Sequence, residues 1–393
     1  PGLDTSKSGL IYLKAMFRII TLIFLLAFSS SAYAEIDFNY GSGYAAKSNL
    51  AKDTLITSME KVGDRIYAVG VHGIIIYTDD DGENWIQAES VPYQNTLTDI
   101  SCVTIDLCWA VGHDATILHS SDRGVNWIVQ YEDIDFDAPL LSIHMYDENE
   151  GIAIGAFALS LRTSDGGKSW GYLFMDDDEF QPHLNYVYGD NQAWRNSAKD
   201  EGFAVGELGK YYISDDRGLN WLVIETGYMG SYWSGVKVDE GQSLLFGMSG
   251  NITLTTLFGL NDKLPPNKPT QIACYESGYF EGDCKVFVFE DLNIGTKNSL
   301  TSAALLEDGR IALSGNGGVV VIGGEGQKKS RIFETGVLVT VENNVLSAST
   351  KAKLNKTGDK LTIFSEYFYD DLSSNNGFVQ TYEYSASDTS WNY

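Results

Sequence analysis

Four segments of this chain place a hydroxyl, a carboxylate, a glycine and an indole at one fixed spacing, Ser/Thr-x-Asp-x-Gly-x-x-Trp. They are Thr78, Asp80, Gly82 and Trp85; Ser120, Asp122, Gly124 and Trp127; Thr163, Asp165, Gly167 and Trp170; and Ser214, Asp216, Gly218 and Trp221. Oxygen pairs of this kind suit metal ligation or acid–base work. They suit a tight turn better. Hydroxyl and carboxylate both accept backbone N–H groups, the glycine supplies a left-handed position, and the Trp fills an apolar seam while its N–H finds a partner. Four copies also point away from one reacting centre, so the motif is expected to be structural.

Other residues with chemical potential weigh less. Acidic runs follow the second and third copies: Glu132, Asp133, Asp135 and Asp137, then Asp176, Asp177, Asp178 and Glu179. Asp133-x-Asp135-x-Asp137 has the alternation of a calcium loop but lacks the following Gly and the later Glu, and Pro139 intervenes, so a solvated loop is expected. The cysteines show no C-x-x-C spacing and the histidines do not cluster with them, which speaks against zinc. No Gly-x-Ser-x-Gly elbow and no phosphate-binding glycine loop is present. No cofactor and no metal is expected. Glycoside hydrolysis needs two carboxylates facing each other about 5–10 Å apart; in so acidic a chain candidates are abundant and carry little information. A carbohydrate-active enzyme or lectin is the alternative to a binding scaffold.

The elements that must carry these groups repeat with them. The Asp-to-Asp intervals are 42, 43 and 51 residues. Small-apolar-Gly tripeptides keep step: Ala68-Val69-Gly70, Ala110-Val111-Gly112, Ala153-Ile154-Gly155 and Ala204-Val205-Gly206. β-branched, alternating runs around them read as strands. Such a period marks an all-β, single-domain β-propeller. Decayed copies at Leu244 to Gly250 and Ile311 to Ile322, and a closing unit in 336–393, bring the expected count to seven blades, with six as the alternative. Residues 259–298 read as an insertion that decorates or replaces an outer strand. Residues 35–50 are expected to add a strand to the last blade, because an open ring leaves unpaired edges. The turns between second and third strands fall on the face opposite the Asp motifs. Their tips are taken as His72, His113, Phe157, Glu207, Met248 and Asn316. With Asp135, Asp137, Asp176, Asp177 and Asp178 on the connections between blades, they form the expected partner-binding face.

The Asp motif resembles the Asp-box of sialidases, of some endo-glucanases and of sorting-receptor ectodomains. Its combination with Ala68-Val69-Gly70-x-x-Gly73, Trp109-Ala110-Val111-Gly112 and Gly202-Phe203-Ala204-Val205-Gly206-x-x-Gly209 resembles the photosystem II stability/assembly factor family of cyanobacteria and chloroplasts. The resemblance covers about residues 50–325 and is strongest over 66–221. It implies a seven-bladed propeller that acts without catalysis as a lumenal or periplasmic assembly factor holding a membrane or envelope protein. A transporter of the resistance-nodulation-division type is one such client. Photosynthetic relatives are expected to use an arginine-rich patch. Here, beyond residue 34, the arginines are Arg65, Arg123, Arg162, Arg195, Arg217, Arg310 and Arg331, with Arg123, Arg162 and Arg217 in or beside Asp motifs. The sialidase Phe/Tyr-Arg-Ile-Pro motif has its nearest match at Phe17-Arg18-Ile19-Ile20, within a leader-like segment.

That segment starts at Met16: Arg18, an apolar run from Ile19 to Phe28, then Ala32-Tyr33-Ala34. It reads as a secretory signal over 16–34, cleaved between Ala34 and Glu35, with residues 1–15 as upstream non-native translation and 35–393 as the propeller. The expected location is periplasmic. Residue 35 is Glu, which excludes a lipidated cysteine there, and the apolar run is short for a bilayer span. The formal charge of −26 becomes about −28 without residues 1–34. Such acidity disfavours nucleic acid and anionic lipid. Four cysteines suit an oxidising compartment. Local bridges Cys102–Cys108 and Cys274–Cys284 are the natural pairing, with connectivity open at this level.

Overall fold

A computed structural model describes residues 43–176, 179–189, 202–239, 241–259, 262–266, 268–274, 284–292, 295–305 and 311–323. It adds the backbone of strands at 337–340, 350–354, 360–368, 375–385 and 390–392. The leader over 16–34, Asp177, Asp178, Arg195, Arg310 and Arg331 lie outside the residues whose side chains are described. No helix among the described residues is long and apolar enough to cross a membrane.

Seven antiparallel sheets follow one another among the described residues. Blade 1 comprises Ile56–Val62, Arg65–Gly70, Ile75–Thr78 and Ile86–Gln87. Blades 2 to 7 span 97–131, 140–172, 184–225, 232–292, 300–340 and 350–392. The first strand of each blade packs on the first strand of the next, and Thr350–Leu354 of blade 7 packs on Ile56–Val62 of blade 1, which closes the ring. Apolar clusters lie between blades: Tyr67, Ile75 and Tyr77 meet Ile100, Ala110 and Leu118, and Trp109, Val111 and Ile117 meet Leu140, Ile143 and Leu161. Strands buried on both faces carry the apolar runs, which is why the second strands read Ala-Val-Gly without a polar interruption.

The four strands of the blade 7 sheet come from residues 350–392, with Ser390–Asn392 in the fourth place; residues 35–42 of the expected N-terminal strand lie outside the described residues. Val337–Thr340 pairs with Val319–Gly323 and is the outer strand of blade 6, not part of the closing blade. The insertion is an outer-edge device: Cys284–Leu292 occupies the fourth-strand place of blade 5 along Ile252–Gly259, and Thr270–Cys274 adds a fifth strand beyond it.

The glycine ending the second strand in blades 1 to 6 has one cause. A Cβ at Gly70, Gly112, Gly155, Gly206, Gly247 or Gly315 would fall 2.1–2.5 Å from the carbonyl oxygen that precedes its own blade's first strand. Close approach of two backbones admits only hydrogen there. The next residue then ties the turn to that same carbonyl. Val71, His113, Ala156, Glu207, Met248 and Asn316 donate their N–H to Leu55, Thr96, Pro139, His183, Ser231 and Ser299 at 2.8–3.2 Å.

Cys102 and Cys108 are opposite each other in register and form a disulfide. Cys284 is disulfide-bonded and its register partner across the hairpin is Cys274.

Candidate functional site

The four Asp motifs build the same turn between third and fourth strands. Thr78 Oγ1 donates to Asp80 Oδ1 at 2.7 Å and accepts the Gly82 N–H at 3.1 Å. Ser120, Thr163 and Ser214 repeat both bonds with Asp122 and Gly124, Asp165 and Gly167, and Asp216 and Gly218. The glycines have φ between 72° and 94°. One residue type escaped the sequence motif. The residue before each Trp, namely Asn84, Asn126, Ser169 or Asn220, donates its N–H to one carboxylate oxygen and its side chain to the other. Each carboxylate is thereby committed to at least three donors within its own loop.

Trp127 is buried against blade 1, and Trp170 and Trp221 pack against the seams with the preceding blades. The indole N–H of Trp127 donates to the Gly124 carbonyl, and that of Trp221 to the Gly218 carbonyl. Trp85 packs on the Ile56, Ala68 and Ile76 cluster.

At Asp80, Asp122 and Asp165 these bonds favour the ionised carboxylate. The Thr78 hydroxyl and the Asn84 backbone and side chain bring the Asp80 carboxyl down to about 2. At Asp122 burial opposes the shift, and the donors from Asn126 and Ser120 outweigh it; at Asp165 the Ser169 hydroxyl and N–H act in the same direction. A carboxyl depressed in the folded state stabilises the fold above its unfolded pKa and loses that contribution as pH falls through its folded pKa. Melting temperature is therefore expected to fall between pH 4 and pH 2, roughly the interval from the unfolded value to the folded one. Asp80→Asn is expected to flatten that fall. Thermal melts across the range check it, and an Asp80→Asn slope equal to wild type would contradict the assignment.

Arginines gather on this motif face. Arg65 bonds Asp79 at 2.6 and 2.7 Å and the Arg123 carbonyl, and lies 4.1 Å over the Tyr77 ring. Arg217 bonds Asp147 and Glu150, and Arg162 bonds Glu150. Three of the four described arginines are thus held in ion pairs within or between blades.

The opposite face differs from blade to blade across blades 1 to 6. Each second-to-third-strand turn described there has two central residues at positive φ, the type I′ form that matches strand twist. The first central residues are His72, Asp114, Phe157, Leu208, Ser249 and Gly317. His72 and Phe157 are thus true tips, whereas His113, Glu207, Met248 and Asn316 sit one residue earlier, where the N–H is fixed to the backbone. The expected ring therefore mixed two positions, because the turn is in register with the Gly of each tripeptide and the ring was not. The second central residues stitch neighbouring blades. Gly73, Ala115, Ala158 and Gly209 donate their N–H to Asn95, Ala138, Pro182 and Gly230 on the connections into the next blades.

Asp135 and Asp137 are exposed as expected. Asp133 caps its own loop, accepting the Phe136 N–H and the Tyr172 hydroxyl. Among the described residues no group of three or more His, Cys, Asp or Glu is placed to hold a metal ion. Asp176 does not belong to an exposed platform. Its side chain is 4% exposed, with the Lys210 ammonium at 3.3 Å and the Tyr212 hydroxyl at 2.8 Å. The acidic run turns inward at its first residue because Lys210 needs a buried counter-charge.

His183, absent from the sequence-level set, organises the middle of this face. Its Nδ1 accepts the Phe157 N–H at 3.1 Å, its ring lies 5.0 Å from the Phe157 ring, and its backbone N–H donates to Glu207. Asp99 was missed as well. On the first strand of blade 2 it accepts from Ser58 of blade 1 and from Ser142 and the Ile143 N–H of blade 3, joining three blades.

Residues 86–280 match the family model described as "Photosynthesis system II assembly factor YCF48". Over that stretch the chain is similar to this photosystem II assembly factor-like propeller family. The solved structure "YCF48 bound to D1 peptide" is 16% identical, with TM-score 0.54, covering 81% of this chain and 95% of that one. YCF48 from Cyanidioschyzon merolae is 12% identical, with TM-score 0.57, covering 84% of this chain and 95% of that one. An ancestral GH74 enzyme shares the propeller at 10% identity and TM-score 0.57, with 87% of this chain covering 46% of that one. At these identities the likeness is one of fold. No curated protein matches the sequence.

Proposed function

We propose that this chain is an exported, non-catalytic scaffold that holds a membrane or envelope protein client. A transporter of the resistance-nodulation-division type is one client of this class. The observation that carries the reading is the division of labour between the two faces. The repeated carboxylates and hydroxyls that resemble catalytic groups are consumed in their own turns, while the opposite turns vary in chemistry on one backbone geometry. A rigid frame with side chains varied at its loop tips suits recognition. One of the similar YCF48 structures has a D1 peptide bound, which supports a protein client. Export through residues 16–34 accords with the Cys102–Cys108 disulfide and with the lack of free cysteines among the described residues.

Affinity capture with the tagged full chain, expressed with its leader and recovered from its own envelope extract, tests the reading. One membrane protein is expected to co-purify in stoichiometric amount. Recovery of nothing above background, together with binding on a glycan array, would overturn it in favour of the carbohydrate reading.

A further inference from the structure

The turn face carries an apolar arc that the fold does not need. Phe157 is 54% exposed, Phe180 77%, Leu208 41%, Met229 81%, Met248 42% and Phe136 44%. Backbone bonds make the arc continuous: Ala156 to Pro139, Ala158 to Pro182, Glu207 to His183, Gly209 to Gly230, and Met248 to Ser231. It therefore runs from the connection after blade 2 to the turn of blade 5. Exposed apolar side chains gathered on one face, and not scattered singly, mark an interaction surface.

Backbone conformation gives a second, independent observation. Phe157 and Leu208 sit at φ 55° and 57°, in the left-handed region that large side chains avoid. Blade 6 has Gly317 at the same position, so the turn itself asks for no side chain. Two neighbouring blades instead hold large apolar groups there, pointing to solvent at a conformational cost. Backbone outliers of this kind persist where a function retains them.

Charge identifies the occupant. Glu132, Asp135, Asp137 and Glu179 are exposed around the arc, and Glu207 lies within it. Among the described residues of the turns of blades 2 to 5 and of the connections from blade 2 to blade 5, Lys210 is the one lysine and is buried, and no arginine occurs; the exposed Lys297 lies at the far end of the arc, beside the blade 5 turn. An anionic lipid surface or a second copy of this acidic face would be repelled. We propose that the arc is the docking site for a client segment that carries lysine or arginine beside large apolar side chains. The acidic rim speeds and orients encounter, and the apolar arc holds the segment. This inference rests on the scaffold reading and names its surface.

The test uses three fluorescein-labelled synthetic peptides of equal length, built from Lys/Leu/Trp, Glu/Leu/Trp and Lys/Ser/Gly, titrated with the full chain in anisotropy measurements. The Lys/Leu/Trp peptide is expected to bind about tenfold or more tighter than either control, and more weakly as salt rises. Phe157→Gly/Leu208→Gly is expected to lose that advantage. Glycine suits both backbone positions, so the melting temperature of the double variant should be unchanged or higher, and lost binding cannot be laid to misfolding. Equal binding by wild type and variant would overturn the site. Sedimentation showing a wild-type dimer that the variant abolishes would overturn the proposed occupant in favour of a second copy. Client capture separates this inference from the scaffold reading. A client retained by the variant overturns the site alone. Peptide binding lost in the variant, with no client captured by wild type, upholds the site and sinks the scaffold.

Discussion

Asp176→Asn is expected to destabilise the propeller by about 3–5 kcal/mol, the scale of breaking one side of a buried ion pair. Lys210 is 8% exposed, and a second described carboxylate beside it, Glu225 at 3.7 Å, is 73% exposed and solvated. Removing the Asp176 charge takes the nearest described carboxylate from a buried ammonium and alters the partner of the Tyr212 hydroxyl. Chemical denaturation would show a lower midpoint at unchanged slope. Asp135→Asn, an exposed neighbour on the same face, should leave the midpoint within about 0.5 kcal/mol of wild type. Replacing the pair together, as Asp176→Asn/Lys210→Met, should recover much of the loss, because the stranded charge goes with it. A single variant as stable as wild type would show that the ion pair carries no net weight.

Gly209→Val is expected to cost a similar amount, about 3–5 kcal/mol, by a different route. The residue has φ 67°, and a Cβ built on it lies 1.9 Å from the Tyr228 carbonyl oxygen. Its N–H must stay bonded to the Gly230 carbonyl for blades 4 and 5 to remain stitched. A β-branched residue therefore meets both a disfavoured backbone and a backbone clash. Two controls divide these causes. Gly227 has φ 83° with open space around it, so Gly227→Ala should show only the conformational term, about 1–2 kcal/mol. Gly171 has ordinary backbone and open space, so Gly171→Ala should be close to neutral. Equal losses at all three positions would show that contact with the Tyr228 carbonyl does not matter.

The frame of this protein was readable because its determinants are local and repeated. Each Asp motif completes its hydrogen bonds within a few residues, so spacing alone exposes it, and the glycine tripeptides mark backbone approaches that recur in blades 1 to 6. Even the missed donors Asn84, Asn126, Ser169 and Asn220 left a signal at a fixed offset from Asp. What escaped was long-range. Asp176 looks like one member of a solvated acidic run until Lys210, remote in sequence, is folded against it. Asp99 shows its role only when blades 1 and 3 are placed on either side. The last strands misled for another reason: Val337–Thr340 lies beyond the sixth glycine turn without a motif to assign it, and its partner strand decides its blade. On the turn face, the Phe157 and Leu208 side chains at φ near 55° announce themselves only through backbone geometry.

The central claim is that the turn face, and not the motif face, meets the client. Site-specific photo-crosslinking in the native envelope tests it most directly, with the crosslinker placed in turn at Phe157, at Leu208 and, on the motif face, at Lys168. A crosslink to one membrane protein is expected from Phe157 and Leu208 and none from Lys168. Crosslinks from Lys168 alone would contradict it.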